Sequence, residues 1–157
     1  MRVRAAARGT PTRHPRWGAL AVSVLLLMTI PVAQAPPLVI VVNTANPAQA
    51  VTIAELRRMF MKQSRLWPHG ESIVPVDWDA TSPVRQEFSR RILGRSVREM
   101  SEFLVQQSIT QGIAPPSTLR SGLAISRFVA SVPGAISYLP PDAMNDSVKP
   151  IKVQGMP

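Results

Sequence analysis

The 157-residue sequence contains no cysteine. Its fold must therefore stand on its core alone, without disulfides, and every metal site built on thiolates is excluded. Histidine is nearly as scarce. His14 and His69 are the only two, far apart in the chain, so no zinc site and no other metal centre is expected. The G-x-S-x-G pattern of a nucleophile elbow is missing as well. A serine nucleophile would have no evident base, and the chain is expected to be neither an enzyme nor the holder of a cofactor. Aromatic residues are not interleaved with the basic ones, which argues against nucleic acid as a partner. No internal repeat is visible, and nothing after residue 36 is low in complexity.

Acids are absent from the first sixteen residues, which carry Arg2, Arg4, Arg8, Arg13 and Arg16. The formal charge of +9 is thus unevenly spread: beyond this segment 13 basic residues face 9 acids, a net of +4. The basic start leads into W-G-A-L-A-V-S-V-L-L-L-M-T-I-P-V-A-Q-A (17–35), an apolar stretch ending in an A-x-A pattern. Residues 1–35 read as a secretory signal peptide. Pro36 after the expected cut resists signal peptidase, so cleavage elsewhere or an uncleaved anchor stays open; the run is just long enough to span a bilayer. No Arg-Arg pair marks a twin-arginine signal. Residues 36–157 then form one exported domain, periplasmic or secreted, or membrane-anchored if the leader stays.

That domain alternates strand and helix signals. L-V-I-V-V-N (38–43) is a buried strand, and Thr52 and Glu55 form a capping box for an amphipathic helix of about three turns. Arg57, Arg58, Lys62 and Arg65 read as its wet face, with contact to an acidic partner or a membrane surface as the other option. Trp67-Pro68-His69-Gly70 is a break, in which His69 is an exposed turn residue. Trp67 and Trp78 are read as packing residues. I-V-P-V-D (73–77) is a strand that Pro75 assigns to an edge or to one irregular pair. A helix follows Ser82, with Val84, Phe88 and Ile92 on its apolar face and Arg85 off it, and ends at Gly94. Ser96 and Glu99 box the next helix, with Val97, Met100, Phe103 and Leu104 inward. Residues 111–118 read as a loop, and 118–131 as a helix burying Leu119, Leu123, Ile125 and Phe128. Strands are expected at 135–139 and 148–153. The class is α/β, with a small mixed or parallel sheet flanked by helices.

Three segments, in this order, resemble the periplasmic substrate-binding proteins of phosphate-type ABC transporters. L-V-I-V-V-N with I-A-E-L-R-R-M-F-M-K-Q-S-R-L-W-P-H-G (53–70) is similar to that family's strand ending in Asn and its L-x-x-I-F-x-G-K-I-x-x-W helix and turn. I-V-P-V-D through S-P-V-R-Q-E-F (73–88) is similar to its strand, phosphate loop and helix start. V-P-G-A-I-S-Y-L (132–139) resembles P-G-A-I-G-Y-V. The resemblance implies a single lobe, mainly the second, of a two-lobed "Venus flytrap" fold, with no counterpart of the long first-lobe segment. It implies phosphate or a similar oxyanion as ligand, and an ABC-transporter permease or another envelope protein as partner.

Carried over residue by residue, Ser82 matches the loop serine and Arg85 an arginine that often follows. Thr81 could replace one lost donor, and Asp79 could accept a proton from hydrogen phosphate. Pro83 stands where glycine would offer an N–H, and Val84 where threonine would offer a hydroxyl. A plain cap explains the same letters, with Ser82 as N-cap, Pro83 as first helical residue and Glu87 as a first-turn acid. The alternative function is an accessory envelope module that kept the fold without the ligand. A homodimer rebuilding a two-lobed cleft is a further possibility.

Overall fold

The computed structural model describes residues 37–155. The leader expected over 1–35 lies outside the described residues. Six strands and four helices follow one another: β1 (Val39–Asn43), β2 (Ala50–Thr52), α1 (Ile53–Phe60), β3 (Val74–Trp78), α2 (Pro83–Phe88), α3 (Val97–Gln111), β4 (Ser117–Leu119), α4 (Gly122–Ser131), β5 (Ala135–Leu139) and β6 (Val148–Gln154). The strands make one mixed sheet in the order β2-β6-β1-β5-β3-β4. β3 runs parallel to both β4 and β5, while β1 is antiparallel to β5 and β6.

Successive strand residues face opposite sides, which sorts the helices into layers. Tyr138 of β5 stacks on Phe88 of α2 at 3.8 Å between ring centroids, and Phe60 of α1 lies 5.7 Å from it. The neighbouring Leu139 faces the other way, toward Gly122 at the start of α4. The sheet is therefore covered on both sides, which is why Ala135–Leu139 is buried at every position. Asn43 ties the far layer down by donating from Nδ2 to the carbonyls of Val129 and Ala130, both at 2.9 Å, near the end of α4.

Both capping boxes form, Thr52 with Glu55 and Ser96 with Glu99. Several expectations need correction. Helix α1 has 8 residues, a little over two turns. β3 is an interior strand, yet Pro75 breaks no ladder bond: β4 pairs only from Val76 to Trp78, so nothing on that side asks Pro75 for an N–H. β2 and β4 have three residues each, too short for a period-two pattern, and β4 occupies part of the expected loop. α4 begins at Gly122, with Gly122, Ile125, Ser126 and Val129 inward, while Leu123 is 56% exposed. The helix after Ser82 becomes a π-helical turn over Ser89–Leu93 before Gly94 ends it in the left-handed region at φ 67°. Arg85, three residues before Phe88 in the α-helical part, shares its inward face and is buried with Phe88 and Ile92.

No helix among the described residues is long and apolar enough to cross a membrane.

Candidate functional site

Because β3, β4 and β5 are parallel, their carboxyl ends share one edge of the sheet, the place where open α/β sheets present ligand loops. Three connections meet there: 79–82 after β3, 120–121 after β4, and 140–143 after β5. Close approach of the last two depends on Gly122, since a Cβ there would lie 2.6 Å from that of Ala143. The first two line an open hollow of about 660 Å³ with Asp79, Thr81, Ser82, Pro83 and Arg120.

The loop after β3 is tied together by Asp79. Its N–H donates to Leu119 O at 2.9 Å, anchoring the loop on β4, and its carbonyl accepts from Ser82 N at 2.9 Å. Its carboxylate accepts from the Thr81 hydroxyl at 2.6 Å and from Thr81 N at 3.1 Å. These two bonds, the hydroxyl first, hold Asp79 below the ordinary carboxylate range, helped by Arg120 at 3.8 Å. Asp79 is thus ionised at neutral pH, and the Thr81 proton is already committed.

Ser82 is different. The Thr52, Ser96 and Ser121 side chains each accept a bond from the backbone of the helix they open. Ser82 stands at the N-cap of α2 with extended backbone, but its side chain makes no capping bond. Pro83 brings no N–H, and the first intrahelical bond runs from Gln86 N to Ser82 O at 3.1 Å. The Ser82 hydroxyl and the amides of Val84 and Arg85 are the donors left at this helix start.

Beneath the loop lies a second polar group, almost wholly buried. Arg85 is 4% exposed and reaches back to β3, where its Nη1 lies 2.5 Å from Asp77 Oδ2. Asp77 Oδ1 accepts from Trp78 N at 2.9 Å and from the Tyr138 hydroxyl. Burial pushes the Asp77 carboxyl up, against the pull of Arg85, Tyr138 and the Trp78 N–H. Burial first, and Asp77 second, drive the Tyr138 phenol well above its usual range, so it stays a donor. Arg85 does not line the hollow with Thr81 and Ser82; it borders a separate cleft of about 270 Å³ with Ser101, Leu104 and Pro115.

With this geometry set out, comparison with known proteins is informative. No family model matches the sequence, and no curated protein matches it. Among solved structures, an ABC-type phosphate transport receptor from Vibrio cholerae superposes with a TM-score of 0.62 at 22% identity, over 76% of this chain and 47% of the receptor. A putative phosphate ABC transporter substrate-binding protein with bound phosphate from Clostridium perfringens gives 0.63 at 19% identity, over 78% and 46%. PstS from Borrelia burgdorferi gives 0.60 at 10% identity, over 78% and 49%. The fold is that of one lobe of a phosphate-transport receptor. The chain spans about half the length of these receptors.

In this receptor-like lobe Asp79, Thr81 and Ser82 come together at the carboxyl edge, and Arg85 is held away from them. Arg120 completes the edge with its side chain 91% exposed. In the sequence it lies inside an expected helix, and only the parallel pairing of β3 with β4 reveals its position. Glu87 lies buried within the helix, where Arg90 reaches both of its oxygens at 2.8 Å. Trp67 and Trp78 are buried, their indoles donating to Gly134 O at 3.1 Å and Tyr138 O at 2.8 Å, and exposed His69 stacks beside Trp67. Among the described residues no group of acids and histidines could hold a metal ion.

Proposed function

We propose that the chain is an exported, non-enzymatic solute-binding protein that holds hydrogen phosphate or a similar protonated oxyanion for an ABC transporter. The observation that carries this reading is the uncommitted Ser82 hydroxyl facing a hollow shared with Arg120, on a lobe with the fold of phosphate-transport receptors. Arg120 supplies charge, Ser82 and the first amides of α2 supply donors, and Asp79 accepts the ligand's own proton. Thr81 holds Asp79 in place, and Arg85 supports the loop from below through Asp77. No bond is made or broken; binding is capture by preorganised donors. Partners in this reading are a permease of the transporter and a facing lobe, from another chain or a second copy.

A calorimetric titration with phosphate, and with sulfate as comparison, tests the reading. Saturable binding that prefers phosphate is expected, because fully ionised sulfate has no proton for Asp79. No heat at millimolar phosphate overturns it. The buried Arg85–Asp77 pair favours a second reading, an envelope accessory module that kept the fold and lost the ligand. Co-purification separates the two: permease and ATPase subunits support transport, and a sensor kinase or envelope enzyme supports the accessory role.

A further inference from the structure

We propose that the face formed by α1 and the turn from α2 into α3 docks on an anionic phospholipid membrane. The charges of residues 36–157 are divided unevenly. Segments 55–65 and 87–102 together hold 8 basic residues against 4 acids, while the remainder holds 5 against 5. The whole net charge of +4 therefore belongs to these two segments. On the opposite side of the sheet, α4 carries one charged residue, Arg127.

The fold brings the two segments together. Phe60 of α1 packs on Phe88 at 4.7 Å between ring centroids, and Arg57 donates from Nε to the Ile92 carbonyl. A Cβ at Gly94 would lie 3.9 Å from Arg57 Nη2. After α1 the chain folds back, with Gln63 N donating to Arg58 O at 2.8 Å, and Gln63 borders a shallow cleft with Phe103. Arg95 lies over that phenyl ring at 5.3 Å from its centroid. Arg57, Arg58, Arg65 and Arg95 are exposed on this shared surface, with Lys62 half-buried among them.

The acids of this face are already occupied. Glu87 is held by Arg90 and Arg91, Glu102 pairs with Arg98, and Glu55 and Glu99 close the capping boxes. Arg57, Arg58, Lys62, Arg65 and Arg95 make no salt bridge among the described residues. Burial, and then the charge of Arg65, lower the Lys62 pKa, so like charges are held close together here. An opposing anionic surface relieves that repulsion. These cations are spread over two segments and not gathered around one pocket. That suits the continuous charge of a lipid surface better than a single free phosphate.

Because the sequence has no cysteine, one label can be placed per chain. Gln63→Cys within the basic face, and Leu123→Cys at an exposed position of α4, each take a polarity-sensitive fluorophore in the full chain. Vesicles of phosphatidylglycerol and phosphatidylcholine in equal parts should give a saturable blue shift at position 63 and none at 123. Pure phosphatidylcholine should give none at either. Adding Arg58→Gln, Lys62→Gln and Arg65→Gln should weaken the binding about a hundredfold, or about fivefold per charge. No shift at 63 overturns the proposal, as does one equally large with pure phosphatidylcholine. So does an equal shift at both positions, or an affinity unchanged by the three substitutions, which is what attachment through residues 1–35 alone would give. A shift at 63 with polyglutamate but not with vesicles assigns the face to an acidic protein and overturns it too.

Discussion

The turn from β3 into α2 has two sides that use the same kinds of residue to opposite ends. Below it, Asp77, Arg85 and Tyr138 are buried and bonded to one another. Above it, Asp79, Thr81, Ser82 and Arg120 face an open hollow, with one hydroxyl uncommitted and one arginine almost wholly in solvent. Buried charge is costly unless matched, so the lower group is bound to its partners and contributes to the fold. The exposed group makes a weak ion pair at best and is free to exchange Asp79 for a ligand. Residue type therefore does not distinguish a site from a support here; the side of the turn does.

The largest test of this contrast is Arg85→Ala. It leaves Asp77 ionisable and unpaired in the core, and should cost about 3–5 kcal/mol in urea unfolding. Replacing both partners, as Asp77→Leu with Arg85→Met, should recover much of that loss. Tyr138→Phe removes one donor from the same carboxylate and should cost about 1–3 kcal/mol. If either single variant unfolds like wild type, the lower group is not a support.

The capping positions sharpen the comparison. Thr52→Ala should cost about 1 kcal/mol, whereas Ser82→Ala, which breaks no capping bond, should stay within about 0.5 kcal/mol while weakening phosphate binding. The Thr52 backbone and hydroxyl hold Glu55 below its ordinary value of 4.5. A depressed carboxylate contributes stability above its unfolded pKa and loses it as the pH falls through the folded one. The gap between wild type and Thr52→Ala should therefore narrow as unfolding is followed below pH 4.5. A gap that widens toward acid would contradict the capping-box account.

Much of this architecture is legible in the residues. The boxes at Thr52 and Ser96, the glycine stop at Gly94 and the β-branched run before Asn43 are local signals, and local physics decides them. The lobe itself follows from three ordered segments, at 38–70, 73–88 and 132–139. What the letters conceal is non-local. β2 and β4 exist through pairing with β6 and β3, which no three-residue stretch announces. A charged residue beside an apolar helical stripe reads as exposed, yet Arg85 lies three residues before Phe88 on the same inward face, where the buried Asp77 pairs with it. Arg120 belongs to the site only because two parallel strands end side by side. Ser82 is the hardest case, since a working cap and an idle one are spelled alike.

The central claim is that the open side of the turn, through Arg120, holds the oxyanion. The direct measurement is phosphate affinity and unfolding midpoint of Arg120→Ala beside wild type. The account predicts loss of saturable binding with a midpoint unchanged within error. Phosphate bound equally well by both chains would contradict it.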